Sequence, residues 1–213
     1  MHTIAAQPAI TGLILAGGRG SRMQNRDKGL QLLNAQKLIE HVIARLQPQV
    51  QQIAINANRH LEDYAHYGFP VWSDRGFDPQ AARDSDFQGP LAGVETGLMH
   101  CTTPYLLTVP CDSPFLPLDL AQRLMAGLSH EQAEVAVACT GNPDHPDSQP
   151  VFCLMHITAL TQLQAYFQAG GRKMDGWYQN SRVARVFFSD EAEFKNINTL
   201  AELQLCATTG GTR

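Results

Sequence analysis

The sequence lacks the features that mark membrane proteins, secreted proteins and nucleic-acid-binding proteins. No apolar run approaches the length of a membrane span, and residues 1–8 lack the basic-then-apolar order of a secretion signal. Lysine and arginine number 16 against 20 aspartates and glutamates, so the formal net charge is −4. A general nucleic-acid binder favours a basic surface, because its main contacts are to phosphates. We therefore expect partners other than membranes and nucleic acids.

Cysteine is sparse, and its pattern argues against two further kinds of site. The five cysteines are odd in number and include no C-x-x-C pair. This argues against a disulfide framework and against a zinc site. The cytoplasm, a reducing compartment, is the expected location.

Two common phosphate-binding motifs are also absent, namely the P-loop pattern G-x-x-x-x-G-K-[ST] and the dinucleotide pattern G-x-G-x-x-G. Instead, an apolar run at 10–15 leads into Gly17-Gly18, and Arg19, Arg22 and Lys28 follow. Glycines let several backbone N–H groups approach one anion, and cationic side chains neutralise its charge. Paired glycines alone also fit a tight turn, but the added cations favour a nucleoside triphosphate site.

Short β-rich runs alternate with helical patterns along the 213 residues, of which 44% are hydrophobic. This alternation predicts one α/β domain: a Rossmann-like, three-layer α/β/α architecture with a mostly parallel central sheet. We expect the domain to span residues 9–206, with flexible tails at 1–8 and 207–213. The predicted strands are 10–15, 53–55, 71–72, 105–109, 135–139, 151–154 and 183–188. The predicted helices are 38–46, 59–66, 91–100, 118–127, 157–169 and 200–205.

Polar residues follow the predicted strands, where ligands bind in such sheets. Asn56 offers both a donor and an acceptor, which suits a purine edge or a ribose hydroxyl. Asp74 only accepts, which suits the N1–H and N2–H of guanine, or a ribose. Each residue also fits a turn or a helix cap.

Asp112 is the sharper candidate, because it ends a buried strand and lies between two prolines. A buried carboxylate is costly without a counter-ion, and Mg²⁺ prefers one or two carboxylates plus phosphate oxygens and water. Asp112 facing Gly17-Gly18 would place Mg²⁺ on the triphosphate, and Asn198 is a candidate to complete the metal or phosphate shell. The alternative role for Asp112, capping the next helix, fits poorly because Pro114 and Pro117 intervene.

The strand ends together resemble nucleotidyltransferases that bind NTPs through an L-A-G-G-x-[SG]-x-R-M-G-x-D-K loop. More closely, the chain resembles the molybdenum cofactor guanylyltransferase family (MobA-type), over residues 11–205. The matching segments are TGLILAGG (11–18), RM (22–23), DKG (27–29), NANR (56–59), GPLAG (89–93), PCDSP (110–114) and NINT (196–199). One departure is Gln24, where the family motif has glycine.

The resemblance implies a nucleotidyltransferase fold and transfer of GMP from GTP to the terminal phosphate of the molybdopterin-bound molybdenum cofactor, with release of pyrophosphate. It implies Mg²⁺ on Asp112, and Arg22, Lys28 and Asp112 as the catalytic groups. Backbone N–H groups near Gly17-Gly18 would hold the phosphates. Transient contact with cofactor-inserting proteins or molybdoenzymes is a further expectation. The implied GTP-binding residues are Leu15, Ala16, Gly17, Lys28, Asn56, Asp74 and Asp112.

Three alternatives keep the same scaffold. Two are enzymes: a cytidylyltransferase of the same cofactor and a sugar-phosphate nucleotidyltransferase. The third is a nucleotide sensor or cofactor carrier without catalysis, against which the complete set of Lys28 and Asp112 argues.

Overall fold

A computed structural model of the chain describes residues 8–18, 27–77, 89–179 and 181–209. The strands are β1 Ile10–Leu15, β2 Leu32–Leu33, β3 Gln36–Lys37, β4 Gln52–Asn56, β5 Val71–Trp72, β6 Tyr105–Pro110, β7 Val135–Asn142, β8 His145–His156 and β9 Val183–Phe187. The helices are α1 Leu38–Leu46, α2 Leu61–Ala65, α3 Pro90–His100, α4 Leu120–His130, α5 Ala159–Gln168, α6 Met174–Tyr178 and α7 Leu200–Thr209. Across these residues, no helix combines the length and the apolarity that crossing a membrane requires.

The central sheet has seven strands in the order β5-β4-β1-β6-β8-β7-β9. Strand β8 is antiparallel to β6 and β7, and every other neighbouring pair in this sheet is parallel. Strands β2 and β3 form a separate two-stranded ribbon. The predicted α/β class and mostly parallel sheet are therefore confirmed.

Both faces of the sheet are covered, which gives the three predicted layers. Successive residues of β1 point to opposite faces, as in any strand. Ile14 belongs to the apolar cluster that includes α1 and α4 residues, and Leu13 belongs to the cluster formed with α3, α5 and α6. Both side chains are fully buried. The sheet thus contributes to two apolar cores, one on each face.

The β7–β8 hairpin is longer than the sequence pattern predicts. The two expected strands, 135–139 and 151–154, extend into a ladder that continues to the pair Asn142 and His145. The Gly, Asn and Pro residues near 141–146 indicate a loop, but their backbone pairs across a tight turn. A register shift between Val137 and Ala138 accommodates extra residues on β8.

Several helix ends also differ from the sequence pattern. Helix α2 is shorter than predicted and covers five residues only. Helix α4 begins at Leu120, two residues later than predicted. Helix α7 continues to Thr209, past the predicted helix end at 205. Apolar spacing locates a helix well, but its ends depend on capping contacts that the pattern does not contain.

The strand order places a ligand crevice at β1. From β1 the chain moves to β4 and β5 on one side, and then crosses to β6 on the other side. Ligands of open α/β sheets bind outside the carboxyl ends of the strands at such a switch point. The segments that follow β1, β4 and β6 therefore border the expected site.

Close packing of α3 on the sheet yields a stability prediction. A Cβ atom on Gly97 would lie 2.5 Å from Cδ2 of Leu13 and 3.0 Å from Cδ2 of Leu106. Overpacking a core costs about 1–3 kcal/mol, while alanine gains about 1 kcal/mol of helix propensity over glycine. We expect Gly97→Ala to lower the free energy of unfolding by about 1 kcal/mol in urea denaturation.

The Leu13→Val background supplies the control, because valine has no Cδ atom. The cost of Gly97→Ala should shrink or reverse there. An equal cost in both backgrounds would show that steric contact with Leu13 is not its cause.

Candidate functional site

The carboxyl ends of three parallel strands lie side by side. Leu15 of β1 is in register with Asn56 of β4 and with Pro110 of β6. Just beyond the strands, the Ala16 N–H donates to the Asn56 carbonyl at 2.8 Å, and the Cys111 N–H donates to the Leu15 carbonyl at 3.1 Å. The residues expected to bind the nucleotide and the metal therefore start from one edge of the sheet.

The glycine loop begins against the asparagines that follow β4. A Cβ on Gly17 would lie 3.1 Å from Nδ2 of Asn58 and 3.3 Å from Oδ1 of Asn56, so a side chain here would require the asparagines to shift by a few tenths of an ångström. The Arg59 guanidinium donates to the Gly18 carbonyl at 2.9 Å. The predicted catalytic residue Arg22 lies outside the described residues, as do all of 19–26.

Lys28 joins the two segments that the sequence proposed for the metal. Its Nζ donates to Oδ2 of Asp112 at 3.1 Å and to Oδ1 of Asn198 at 2.5 Å. These partners lie 84 and 170 residues away along the chain. One ammonium thus collects two oxygen atoms from separate parts of the fold.

The segments that carry Asp112 and Asn198 are fastened to each other. The Ile197 N–H donates to the backbone carbonyl of Asp112 at 2.8 Å, and the Ser113 hydroxyl donates to Oδ1 of Asn196. Ile197 and Ser113 are fully buried. The asparagine side chains therefore differ in direction: that of Asn196 contacts Ser113, and that of Asn198 contacts Lys28.

A capping box at the start of α7 holds Asn198 from the other side. Oε2 of Glu202 accepts the backbone N–H groups of Asn198 and Thr199, and Oγ1 of Thr199 accepts the Glu202 N–H at 3.1 Å. This exchange is the capping box of a helix N-terminus. The hydrogen bond from the Asn198 backbone is the main reason why the pKa of Glu202 is lowered. Thr199 thus caps helix α7, and Glu202 completes the cap.

The Asp112 carboxylate is in an unfavourable place for a charge. It is 6% exposed, and burial raises its pKa above the ordinary value, while the Lys28 ammonium opposes that rise. The Glu202 carboxylate adds a smaller contribution that raises the pKa further. A second cation at this point would stabilise the charged form.

The chemistry of these oxygens fits Mg²⁺. The ion prefers hard oxygen ligands and commonly takes one or two from the protein, with phosphates and water supplying the others. Asp112 and Asn198 present a carboxylate oxygen and an amide oxygen to the same point, where both contact a cationic group. Within the described ranges, no cluster of three His, Cys, Asp or Glu side chains offers a self-sufficient metal site. The pair therefore fits a metal that binds together with a phosphate-bearing ligand.

On the other side of β1, two asparagines hold Asp74. Nδ2 of Asn56 donates to one carboxylate oxygen of Asp74 at 2.8 Å, and Nδ2 of Asn58 donates to the other at 2.7 Å. Oδ1 of Asn58 in turn accepts the Asp74 N–H at 2.8 Å. The carboxylate is thereby fixed in one orientation and keeps further lone pairs for a donor on a ligand.

Gly93 on α3 leaves room for Asn56. A Cβ at this glycine would lie 2.3 Å from Oδ1 of Asn56 and 2.8 Å from Cδ2 of Leu15. The G-P-L-A-G segment thus lets the helix pack directly on the polar network.

The structure gathers most of the predicted site residues into two groups at one edge. One group holds Lys28, Asp112 and Asn198, and the other holds Asn56 and Asp74 beside the loop. Sequence reasoning missed the roles of several residues, among them Asn58 and Glu202. The spacing N-x-N after a strand signals Asn58, and the T-x-x-E pattern at the last helix signals Glu202.

Comparison with known families and proteins agrees with this geometry. Residues 12–183 match the family model described as a MobA-like NTP transferase domain. Molybdenum cofactor guanylyltransferase from Cupriavidus taiwanensis is 50% identical over 200 residues, covering 93% of this chain and 96% of that protein. The protein of the same name from Bordetella petrii is 50% identical over 195 residues, covering 92% and 95%.

Solved structures share the fold at lower identity. Molybdopterin-guanine dinucleotide biosynthesis protein A from Archaeoglobus fulgidus superimposes with a TM-score of 0.72 at 20% identity, covering 95% of this chain and all of that one. A nucleotidyl transferase from Methanothermobacter gives a TM-score of 0.69 at 18% identity, covering 94% and 96%. At these identities the similarity establishes the fold alone.

The Asn58–Asp74 contacts yield a prediction about nucleotide binding. Asn58→Ala removes one donor to the Asp74 carboxylate and the acceptor for its N–H group. Because hydrogen bonds to charged groups are worth about 1.5–3 kcal/mol, we expect affinity for GTP to fall about 10-fold or more in titration calorimetry with Mg²⁺. Asn142→Ala is the matched control, since that side chain only accepts the Asp144 N–H in the hairpin turn. Unchanged GTP affinity in Asn58→Ala would remove this network from the binding site.

Proposed function

Because the chain belongs to the MobA-like NTP transferase family, we propose that it transfers GMP from GTP to the molybdopterin-bound molybdenum cofactor. Pyrophosphate is the second product. The proposal takes its substrates from curated relatives at about 50% identity that carry the name molybdenum cofactor guanylyltransferase. A cytoplasmic location is part of the proposal and accords with five free cysteines.

The observation that supports it best is the division of the site across β1. The amide and carboxylate network around Asp74 follows β4 and β5, and the Lys28 group lies at the end of β6. Strands β4 and β6 flank β1, so the ends of these two strands are separated by about two inter-strand spacings, or about 10 Å. A nucleotide placed across the end of β1 has its base on one side and its phosphates on the other. Gly17 and Gly18 follow β1 and therefore lie between the two groups.

The group formed by Asp74, Asn56 and Asn58, called the base arm, is suited to bind guanine. Guanine presents two neighbouring donors, N1–H and the 2-amino group, and a fixed carboxylate pairs with both. Asp74 is the carboxylate that this role requires, and its two asparagine contacts fix its orientation before the base arrives. Cytosine lacks that pair of donors, so the network favours GTP over CTP.

The group formed by Lys28, Asp112 and Asn198, called the phosphate arm, is suited to the transfer of GMP. An oxygen of the acceptor's terminal phosphate attacks the α-phosphorus in line, and the bond to the bridging oxygen of pyrophosphate breaks. The nucleophile is already an anion, so the reaction needs positioning and charge neutralisation rather than a strong base. Lys28 and the N–H groups near Gly17-Gly18 bind the phosphates and neutralise their charge.

Asp112 and Asn198 would hold Mg²⁺ together with the nucleotide. When bound, the ion neutralises phosphate charge and orients the leaving pyrophosphate. The chain's own contribution is to hold both oxygens at one point, by means of the Ile197 and Glu202 contacts.

The substitution Asp112→Asn tests this assignment. The amide keeps the size of the side chain but removes the negative charge that a metal requires. We expect kcat for pyrophosphate release from GTP with molybdenum cofactor to fall about 100-fold or more. The melting temperature should change little, because the carboxylate is already disfavoured by burial.

Glu131→Gln is the matched control. Glu131 is exposed and precedes β7, whose first residue pairs through β8 with the amino end of β6, away from the site. Normal turnover in Asp112→Asn would contradict the assignment of Asp112. Equal turnover of wild-type protein with CTP would contradict the assignment of Asp74. GTP binding with no pyrophosphate release would favour the sensor or carrier alternative.

A further inference from the structure

The backbone around Lys28 is anchored by helix α2, which lies outside the group formed by Lys28, Asp112 and Asn198. A lysine side chain has four flexible carbons, so the position of its ammonium depends on where the main chain starts it. Two hydrogen bonds hold the chain after Lys28: the Gln31 N–H donates to the Lys28 carbonyl at 3.1 Å, and the Ile39 N–H donates to the Gly29 carbonyl at 3.0 Å. The chain before Lys28 is held differently.

Asp27 anchors the residue next to Lys28 through its side chain. Its Oδ1 accepts the Tyr64 hydroxyl at 2.5 Å and the Gly29 N–H at 3.1 Å. Asp27 is 6% exposed and Tyr64 is fully buried. The carboxylate thus connects helix α2 to the backbone on both sides of Lys28.

The direction of the Tyr64 contact follows from the surroundings. Burial raises the pKa of Tyr64, so its hydroxyl keeps its proton and donates. Burial also raises the pKa of Asp27, and the hydrogen bond from Tyr64 is the largest influence that opposes this rise. The hydroxyl is therefore the main group that supports the charged form of this carboxylate.

Steric contact reinforces the hydrogen bonds. A Cβ on Gly29 would lie 2.7 Å from the Tyr64 hydroxyl and 3.2 Å from Cβ of Cys111. The turn at Lys28 is therefore pressed between α2 and the residue that precedes Asp112. Only a glycine allows the backbone this close to both.

We propose that Tyr64 is a positioning residue, whose hydroxyl acts through Asp27 to hold the Lys28 ammonium against Asp112 and Asn198. The inference rests on the proposed function, in which Lys28 neutralises phosphate charge during transfer. Tyr64 itself contacts neither Lys28 nor the oxygens that Lys28 binds, among the hydrogen bonds of the described residues. We therefore expect its effect on turnover to pass through Asp27 and Lys28.

The substitution Tyr64→Phe removes one oxygen atom and keeps the ring in the core. We expect kcat to fall about 10-fold, with the KM for GTP changed less than threefold, because charge neutralisation is weakened more than nucleotide binding. Tyr67→Phe is the matched control. That hydroxyl lies three residues further along and donates instead to Oε1 of Glu40 at 3.3 Å. Tyr67→Phe should leave kcat unchanged.

A double-mutant cycle with Lys28→Ala separates positioning from general stability. In the Lys28→Ala background, Tyr64→Phe should reduce the residual rate no further, because no ammonium remains to be positioned. A similar reduction in both backgrounds would show that Tyr64 acts on the fold as a whole. An unchanged rate in Tyr64→Phe alone would also overturn the proposal.

The role of Tyr64 can be tested even if the proposed function is wrong. That failure would appear as wild-type protein releasing no pyrophosphate from GTP in the presence of molybdenum cofactor. The same cycle is then measured on the affinity for GTP with Mg²⁺ by titration calorimetry. Tyr64→Phe should then weaken the affinity less than threefold, and this loss should vanish in the Lys28→Ala background. An equal loss of affinity in both backgrounds would reject the positioning role.

Discussion

The contact between Lys28 and Asp112 constrains the carboxyl edge of the whole sheet. A buried carboxylate costs several kcal/mol without a partner, and Asp112 is 6% exposed. The turn that contains Lys28 must therefore lie close enough to the end of β6 for the Lys28 ammonium to contact Asp112. This close approach explains why a glycine stands at position 29 and why the Tyr64 hydroxyl of α2 donates to Asp27. The fold and the site share the same contacts at this point.

The late segment of the chain is tied to the same edge by backbone bonds. The Ile197 N–H reaches the Asp112 carbonyl, and the capping box of α7 fixes Asn198. Aromatic contacts of Phe194 with Phe152 and Phe188 anchor the segment that precedes Ile197. The start of helix α7 thus helps to hold Asn198 against Lys28, which lies 170 residues earlier in the chain.

The fold followed from the sequence because its signals are local. A continuous apolar run located β1, and apolar residues at helical spacing located α1. The alternation of strands and helices indicated the parallel sheet. The candidate residues after the strands followed from the rule that ligands bind at that edge. Contacts between distant residues were not accessible in this way. Neither the Tyr64 hydroxyl nor the Ser113–Asn196 pair leaves a periodic trace, because each joins positions set only by the tertiary fold.

The two arms of the site differ in how their charges are balanced, and this difference bears on the proposed chemistry. Asp74 is held by neutral amides, so its negative charge stays available to a ligand that donates hydrogen bonds. Asp112 already contacts the Lys28 ammonium, so an added phosphate competes for Lys28 and leaves the carboxylate in need of another cation. On the proposed function, nucleotide and Mg²⁺ therefore favour each other's binding. By thermodynamic linkage, the factor by which the nucleotide raises the affinity for Mg²⁺ equals the factor by which Mg²⁺ raises the affinity for the nucleotide.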